Sequence, residues 1–481
     1  MSKKFYLTTS IAYVNAPPHI GYALELVQAD VIARYHRIKG EDVFFLTGTD
    51  EHGRKIVQAA EKLGKPTEEF VDENSEKFRA LTNALNISND DFIRTSDQKR
   101  HWPGVHLFWR RLEDAGDLYK KEYEGLYCVG HEAFLKKSDL ADGKCPDHGT
   151  EPEVLKEENY FFRLSRYQDQ LLKRYESGEI KILPESRKNE VLAFIREGLE
   201  DVSFSRPSKD LPWGVPVPDD PSQTIYVWAE ALLNYVTGLG FGGEEARFNR
   251  YWPADIHFIG KDILRFHAII WPAMFLSAGL PLPKQVNVHG WLTLSGEKIS
   301  KTKGNTVDPF ELVSQYGVDP VRYFLLREIP SGEDGDFSIE KLEERYTSDL
   351  ANGLGNLVSR VFTLAERNNI VTPELVEGPS TSLGQYQEVA AAIERFELHK
   401  ALEAIWQLIK QSDEEIDREK LWELAENDRT RFQEVIQRLL HRISAIGELL
   451  QPFLPETAEK ILDLFGGEKL KAPAPLFPRI Q

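Results

Sequence analysis

The chain has 481 residues, of which 41% are hydrophobic, a formal net charge of -18 and 2 cysteines. This length and apolar content predict about two to four globular domains and exclude a disordered chain. The cysteine count excludes a disulfide framework and favours a reducing cytosol, and the acidic balance argues against indiscriminate nucleic-acid binding.

The sequence predicts neither an export signal nor a membrane span. The N-terminus runs directly into a strand pattern without a long apolar leader. The most apolar stretch, residues 268–283, is too short to cross a bilayer and is interrupted by prolines. We therefore expect a cytoplasmic protein.

The first elements predict a β-α-β unit. Residues 4–9 have the aromatic and β-branched pattern of a strand, and residues 43–47 form an apolar run of the same kind. Between them, apolar residues from Leu24 to Tyr35 recur at helical spacing. The unit favours a doubly wound parallel sheet, with ligands at the carboxyl ends of its strands, where His19 and residues 48–53 would lie.

The rest of the chain changes pattern twice. Residues 118–218 interrupt the α/β rhythm with a Cys/His cluster and proline-rich turns, which predicts an insertion. Strand patterns resume at residues 225–228 and 256–259. After about residue 343 only helical periodicity remains, for example up to Leu450 before Pro452, which predicts an all-α domain.

Two short segments have the chemistry of phosphate binding. Pro18-His19-Ile20-Gly21 puts a histidine at the start of the first predicted helix, where backbone N–H groups and an imidazole can donate to anionic oxygens. Lys298-Ile299-Ser300-Lys301 puts two ammonium groups in a flexible loop that ends at Gly304-Asn305. Alone, each segment also fits an ordinary structural turn or a solvated loop; together they predict polyphosphate binding.

The paired segments resemble the HIGH and KMSKS signatures of class I aminoacyl-tRNA synthetases. Further segments resemble the methionyl-tRNA synthetase family, notably Gly48-Thr49-Asp50-Glu51-His52-Gly53, Tyr226-Val227-Trp228, Phe258-Ile259-Gly260-Lys261-Asp262 and Arg265-Phe266-His267. The resemblance implies a Rossmann-type catalytic domain in two halves, 1–117 and 219–290. It also implies a connective-peptide insertion at 118–218, a stem-contact region at 291–343 and a helical anticodon-binding domain at 344–481.

The resemblance also assigns the active site residue by residue. It implies that methionine is bound by Ile11, Tyr13, Asp50, Trp228, Leu232, Tyr235, Ile263 and His267, with Asp50 pairing with the substrate ammonium. It implies that ATP is bound by His19, Gly21, Tyr22, Glu25, Gly260, Asp262, Lys298 and Lys301. His19, Lys298 and Lys301 would be the catalytic residues.

Aromatic and apolar walls suit a thioether, because sulfur contacts aromatic edges favourably. From periodicity alone, however, Trp228 and Tyr235 could equally be core residues on one helix face. The sequence also departs from the signatures at three positions. Tyr22 stands where HIGH has its second histidine, and Ile299 and Thr302 replace the usual methionine and serine of the lysine loop. The tyrosine could remove one phosphate donor, whereas the loop keeps its apolar anchor and its hydroxyl.

A cysteine and histidine cluster in the insertion suits zinc. Cys128 and His131 form one C-x2-H pair, and Cys145 and His148 form a second, thirteen residues apart. Two short-spaced pairs of such ligands fit tetrahedral Zn²⁺. The family's knuckle is richer in cysteine, and a structural role for the metal is implied. Isolated C-x2-H pairs can also be incidental.

The helical region contains three residues that match the family's anticodon readers: Asn356, Arg360 and Trp422. Polar side chains can bond the edges of splayed bases, and tryptophan can stack on one. Without the resemblance, the Asn/Arg pair would be a solvated helix face. Leu421 replaces a common proline beside the tryptophan.

The implied reaction joins L-methionine to tRNA(Met) through methionyl-adenylate, with Mg²⁺ accompanying ATP and no side chain acting as nucleophile. Two alternatives are a leucine, isoleucine or valine ligase, for whose editing insertion the chain has no room, and a catalytically silent RNA-binding relative. The chain ends near the point where some relatives append a dimerising domain, so we expect a monomer.

Overall fold

The computed structural model describes residues 2–130, 133–135, 137–146, 149–294, 296–298, 306–372, 383–467 and 469–480. The chain divides into two compact units. The first comprises Met1–Pro18, Gly40–Thr82 and Asn89–Val288, and the second comprises His19–Lys39, Asn83–Ser88 and His289–Gln481. Each unit is therefore assembled from segments that are distant in sequence.

The described residues contain strands from Lys4 to Phe337. They are β1 (Lys4–Thr9), β2 (Ala12–Tyr13), β3 (Asp42–Asp50), β4 (Asp91–Arg94), β5 (Leu118–Cys128), β6 (Ala133–Leu135), β7 (Glu153–Phe162), β8 (Lys181–Leu183), β9 (Val202–Ser203), β10 (Ser205–Pro207), β11 (Pro216–Val217), β12 (Asp220–Ile225), β13 (Ile256–Gly260), β14 (Gln285–His289), β15 (Leu292–Leu294), β16 (Glu297–Lys298) and β17 (Gly335–Phe337).

Helices occur throughout both units. They are α1 (Ile20–Ile38), α2 (Arg54–Lys62), α3 (Thr67–Ala84), α4 (Trp102–Asp114), α5 (Gln168–Glu176), α6 (Glu185–Glu197), α7 (Val227–Ala231), α8 (Asn234–Thr237), α9 (Ala246–Tyr251), α10 (Trp271–Ser277), α11 (Pro309–Tyr316), α12 (Val318–Arg327), α13 (Ile339–Arg345), α14 (Asn356–Arg367), α15 (Leu383–Glu394), α16 (Leu398–Glu419), α17 (Leu421–Asn427), α18 (Arg429–Leu450) and α19 (Pro455–Asp463). Turns Lys137–Asp139, Leu164–Tyr167 and Lys261–Ile263 are 3-10 helical, and Phe266–Ile270 and Tyr346–Gly355 are π-helical.

The first unit is built on a seven-stranded sheet with the order β2-β3-β1-β13-β14-β8, in which β4 also pairs with β3. Its centre is parallel: Leu7 lies opposite Phe45 on one side and Ile256 on the other. The central strands are almost entirely buried, as expected when both faces of a parallel sheet are covered. The parallel sheet predicted from the first β-α-β pattern is confirmed.

The strands β5–β7 and β9–β12 form two antiparallel sheets. One has the order β6-β5-β7-β9, and β5 pairs with β7 over ten consecutive residue pairs. The other has the order β10-β12-β11. Aromatic side chains fill the core beneath them, where Phe162 stacks on Phe204 with a centroid distance of 4.8 Å.

The second unit packs α1 against α12. The predicted apolar face of α1 is buried, with Leu24, Val27 and Val31 inside. A buried ion pair joins the same two helices, because an Arg322 guanidinium nitrogen lies 2.7 Å from an Asp30 carboxylate oxygen. Arg322 also donates to the carbonyl of Pro452, which follows α18. The Arg322 guanidinium therefore connects α12 with α1 and with the end of α18.

After residue 343, the described parts of the chain contain helices and no β-strand, as predicted. The N-cap of α18 is Asp428, whose carboxylate accepts a hydrogen bond of 3.0 Å from the Arg431 N–H. The helix ends at Leu450, before Pro452, as its periodicity predicts. Among the residues that the structure describes, no helix is long and apolar enough to cross a bilayer.

One strand prediction is partly wrong. The pattern predicts extended chain at residues 225–228, but β12 ends at Ile225 and α7 begins at Val227. Tyr226 keeps extended backbone angles and serves as the N-cap of that helix. Val227 is buried, and Tyr226 and Trp228 are half-buried. An apolar run this short has no periodicity that separates strand from helix.

Candidate active site

Three residues of the first unit form a hydrogen-bonded chain in the predicted amino-acid pocket. The Tyr235 hydroxyl donates to Nε2 of His267 over 2.7 Å, and Nδ1–H of His267 donates to the Ile263 carbonyl over 3.0 Å. Burial lowers the pKa of His267 to about 4. The imidazole is therefore neutral at pH 7, with its proton on Nδ1, and His267 itself lies in the π-helical turn.

Aromatic and apolar side chains surround this chain. The Trp228 indole stacks on the Phe266 ring, with a centroid distance of 3.9 Å and an interplanar angle of 9°. Leu232 is buried one turn after Trp228, and Ile11 packs against the same core. These walls suit an unbranched apolar side chain that ends in a polarizable atom.

Asp50 lies at the end of β3, where the parallel strands present their carboxyl ends. It is opposite Tyr13 in the register of β2 and β3, and its carbonyl accepts a 3.2 Å hydrogen bond from the Val14 N–H. Its side chain is largely buried, with the residue 7% exposed. A carboxylate held at this edge can balance a substrate ammonium.

The second polar feature of this edge follows β13. That strand ends at Gly260, and the 3-10 turn after it presents Asp262 at the surface. β13 and β3 flank β1 in the sheet. The carboxyl end of β3 therefore carries Asp50, and the turn that follows β13 carries Asp262. Ligands of open parallel sheets typically bind at this edge.

In the second unit, His19 caps the N-terminus of α1. Its Nδ1 accepts a 3.1 Å hydrogen bond from the Gly21 N–H. A nitrogen that accepts has no proton, so the neutral ring carries its proton on Nε2 and donates from that atom. A Cβ on Gly21 would lie 2.9 Å from Cε1 and 3.0 Å from Nδ1 of His19, so only glycine leaves the ring in this position.

Within the second unit, the His19 segment contacts the chain that follows the lysine loop. The Ile20 N–H, directly after His19, donates to the Val307 carbonyl over 3.2 Å, and Val307 follows the lysine loop in sequence. On its other side the loop leaves a hairpin of β15 and β16, in which Thr293 lies opposite Lys298. Lys301 and the rest of residues 299–305 lie outside the described residues.

A carboxylate fixes the hairpin that leads into the lysine loop. Asp336 on β17 accepts hydrogen bonds from the Gly296 N–H over 2.9 Å and from the Thr293 hydroxyl over 2.7 Å. These bonds lower the pKa of Asp336, the Gly296 N–H contributing most. The stem of the loop is thus anchored to a third strand.

Glu25 and Tyr22 lie further along α1. Glu25 is buried, and its carboxylate accepts a 2.8 Å hydrogen bond from Nε2 of His289. Tyr22 is half-buried in the first turn, where its N–H donates to the His19 carbonyl. Sequence reasoning missed His289, although its position at the end of the apolar strand β14 could have drawn attention to it.

The three predicted RNA-binding residues lie on helices of the second unit. Asn356 begins α14 and is exposed, and Arg360 one turn later donates to Asp417 over 3.0 Å. Trp422 is 47% exposed on α17. Lys420 precedes it in the left-handed conformation, with φ 46°, and Leu421 is buried, so the indole is turned outward.

Of the predicted zinc ligands, the two cysteines are described and both are buried. Cys128 ends β5, and Cys145 begins a turn closed by a 2.8 Å hydrogen bond from the Gly149 N–H to its carbonyl. His131 and His148 lie outside the described residues. Within the described ranges, no group of three or more His, Cys, Asp or Glu side chains is placed to hold a metal.

Comparisons with known proteins agree on one family. The family model of tRNA synthetases class I (M) matches residues 5–151 and 136–362. A methionine–tRNA ligase of Caldanaerobacter subterraneus subsp. tengcongensis is 46% identical, over 100% of this chain and 79% of that protein. One of Rickettsia conorii is 44% identical, over 98% of this chain and 94% of that protein.

A solved structure matches the same length of chain. The methionyl-tRNA synthetase of Mycobacterium tuberculosis in complex with methionyl-adenylate superposes with a TM-score of 0.93 at 42% identity. The match covers 99% of this chain and 100% of that one. Similarity of sequence and of backbone therefore extends over the whole length.

Proposed function

This chain belongs to the class I tRNA synthetases and, within them, to the methionine–tRNA ligases, and we propose how its residues divide that reaction among themselves. The chain activates methionine with ATP, releases pyrophosphate and transfers the methionyl group to the 3′-terminal adenosine of tRNA(Met). The family that the motifs predict is confirmed. The two alternatives, another class I ligase and a silent RNA-binding relative, are not supported.

The observation that supports methionine selection is the hydrogen-bonded chain Tyr235–His267–Ile263. A neutral imidazole with a fixed tautomer is a weakly polar wall for a thioether, whereas a buried imidazolium would need water or a counter-charge beside it. Trp228, Leu232 and Ile11 would supply the apolar walls, and Asp50 beside Tyr13 would hold the ammonium. The backbone carboxylate of methionine would be left to react.

Adenylate formation needs positioning and charge stabilisation, because the methionine carboxylate is itself the nucleophile. It attacks the α-phosphorus of ATP, and the bond to the β-phosphate oxygen breaks to release pyrophosphate. His19 would donate from Nε2–H to a phosphate oxygen at the N-terminus of α1. Lys298 and Lys301 would neutralise the leaving pyrophosphate, and ATP would enter as its Mg²⁺ complex.

The remaining ATP residues would bind the nucleoside. The exposed Asp262 after β13 would accept from ribose hydroxyls, and Gly260 would allow the close approach of the sugar. Glu25, Gly21 and Tyr22 would lie on the α1 side of ATP. With a buried imidazole as its donor, Glu25 keeps one conformation instead of the freedom of a solvated glutamate.

We assign a structural zinc ion to Cys128, His131, Cys145 and His148. Both described ligands are buried sulfur atoms, the donor type that Zn²⁺ prefers, in a part of the chain rich in β-structure and turns. When bound, the metal would cross-link the two ends of the cluster. It takes no part in the reaction.

Replacing Cys145 with serine should reduce bound zinc from about one ion per chain to less than about a tenth, because loss of one thiolate opens a tetrahedral site. The measurement is elemental analysis of purified protein after dialysis. His441→Ser, which alters a histidine far from the cluster in sequence, is the control. Equal zinc in the Cys145 variant and in the natural chain would contradict the assignment.

We propose that Asn356, Arg360 and Trp422 read the CAU anticodon. Trp422 offers an exposed stacking face, and Asn356 is exposed at the start of α14. Arg360 lies between Asp413 and Asp417, so RNA must compete with two carboxylates for its guanidinium.

Trp422→Ala should lower kcat/KM for charging tRNA(Met) by about 10- to 100-fold, since one stacked base contributes roughly 1–3 kcal/mol. Methionine-dependent pyrophosphate exchange should be unchanged, because that step uses no tRNA. Ile38→Ala removes a similarly exposed apolar side chain and should affect neither assay. Equal losses in both assays would place Trp422 outside RNA recognition.

The same proposal assigns functions to the segments. Residues 1–117 and 219–290 would form the catalytic domain, 118–218 the connective peptide, 291–343 the stem-contact region and 344–481 the anticodon-binding domain. The monomeric state and the cytoplasmic location stay predictions. Charging of tRNA(Met) with labelled methionine tests the proposed overall reaction. Attachment of a different amino acid to that tRNA would overturn the proposal.

A further inference from the structure

Three ionisable side chains of the first unit meet in the interior beside the proposed methionine pocket. Nδ1–H of His52 donates to one oxygen of Glu230 over 2.9 Å, and Nε2–H of His101 donates to the other over 2.8 Å. The exposed fraction is 3% for the His52 side chain and 0% for the other two. We call His52, Glu230 and His101 the His–Glu–His bridge.

The bridge contains a carboxylate. Burial alone would raise the pKa of Glu230, but the charges of His52 and His101 and their hydrogen bonds lower it below the ordinary value. Each oxygen therefore accepts from one imidazole, and both imidazoles are oriented by the same group. A charged group so deeply buried adds little to stability compared with apolar packing of the same volume.

The bridge joins the segments that carry the pocket residues. His52 lies two residues after Asp50, and Glu230 lies two residues after Trp228 and two before Leu232. The other nitrogen of His101 lies 2.8 Å from the Thr237 hydroxyl, two residues after Tyr235. One carboxylate thus connects the strand end of Asp50 with both helices that form the thioether walls.

Aromatic packing stiffens the His52 side of the bridge. The His52 ring lies 5.8 Å from the Trp213 ring, centroid to centroid, and 6.3 Å from that of Trp102. Trp213 in turn donates from Nε1–H to the Glu51 carbonyl over 2.5 Å. His52 therefore cannot turn away from Glu230 without disturbing the backbone next to Asp50.

We propose that Glu230 is a positioning residue for methionine: through His52 and His101 it fixes the separation between Asp50 and the Trp228 wall. When Asp50 holds the α-ammonium of the amino acid, that separation sets the length of the side chain that fits against Trp228. The bridge would then contribute to discrimination by chain length, which aromatic walls alone provide weakly. This inference rests on the proposed roles of Asp50 and Trp228.

The test compares Glu230→Gln with the natural chain in pyrophosphate exchange. An amide has one acceptor oxygen, so one imidazole loses its partner. The KM for methionine should rise about tenfold, with kcat and the KM for ATP within about twofold. The preference for methionine over ethionine, which is one methylene longer, should fall by a similar factor. Glu244→Gln, at an exposed position, is the control.

Two substitutions of His52, by asparagine and by leucine, test the positioning role even if Glu230→Gln fails to fold. Asparagine places its amide N–H near the position of Nδ1 and should keep the methionine KM close to that of the natural chain. Leucine supplies no donor and should reproduce the defect of Glu230→Gln. Equal effects of both substitutions, or parallel changes in kcat and the KM for ATP, would overturn the positioning role.

The outcomes also separate this inference from the function itself. If the natural chain shows no methionine-dependent exchange, the proposed function fails. If the natural chain is active but the Glu230 and His52 variants change only the thermal midpoint of unfolding, the function stands and the inference is wrong.

Discussion

Asparagine in place of His19 should lower kcat for methionine-dependent pyrophosphate exchange by about 10²- to 10³-fold, the usual effect of removing one preorganised donor from an anionic transition state. Asparagine can still accept the Gly21 N–H that Nδ1 now accepts, so the N-cap of α1 is preserved. What it cannot do is reach the position of Nε2–H. The variant therefore separates the phosphate donor from the helix cap.

Two further variants sharpen this test. Glutamine at position 19 is long enough to place an N–H near Nε2 and should recover part of the rate. Gly21→Ala keeps His19 but puts a methyl group 2.9 Å from its Cε1, so it should displace the ring and cause a similar defect. If His19→Asn exchanges pyrophosphate at the natural rate, His19 does not bind the reacting phosphates.

Asp50→Asn should raise the KM for methionine by about 10²-fold or more, since removing one partner of a desolvated charge pair costs roughly 2–5 kcal/mol. The substitution keeps the size of a side chain that is mostly buried at the end of β3. The KM for ATP should stay within about twofold, because the loss concerns the amino-acid ammonium. Asp114→Asn, at an exposed position, should have no effect.

An inhibitor comparison identifies the group that Asp50 recognises. Methioninol keeps the ammonium and should bind the Asp50→Asn variant far more weakly than the natural chain. 4-(Methylthio)butanoate has no ammonium and should bind both chains equally. If both inhibitors lose the same affinity, Asp50 supports the pocket without contacting the ammonium.

Periodicity predicted the long elements correctly. The pattern alone locates the strands β1 and β3, because each is an apolar run that is almost entirely buried. It also locates the helices α1 and α18, because their buried apolar residues recur at helical spacing. It was wrong at residues 227–228, where a buried segment of a few residues turns into α7. Such short elements are decided by tertiary packing, which local sequence does not contain.

The positions of buried charged groups could not be predicted either. Glu230 has the sequence context of an ordinary glutamate in an apolar stretch, yet its partners His52 and His101 lie 178 and 129 residues away. Glu25 likewise has the context of a helix-surface residue, but its carboxylate meets His289, 264 residues away. Only the folded chain shows which distant histidines compensate the cost of burying these two carboxylates.

The site residues themselves came from resemblance more than from pattern. His267 illustrates the limit, because its neutral tautomer depends on hydrogen bonds with the Ile263 carbonyl and the Tyr235 hydroxyl. Neither hydrogen bond has a sequence signature. The geometry therefore supplies a chemical reason for a role that the motif alone implied.

The most direct measurement is pyrophosphate exchange by the natural chain with each of the twenty amino acids in turn. We predict exchange that requires ATP and methionine, with no other amino acid supporting more than about 1% of the rate, as expected when binding at one site must distinguish dissimilar side chains. Exchange with leucine, isoleucine or valine, or none with methionine, would contradict the account.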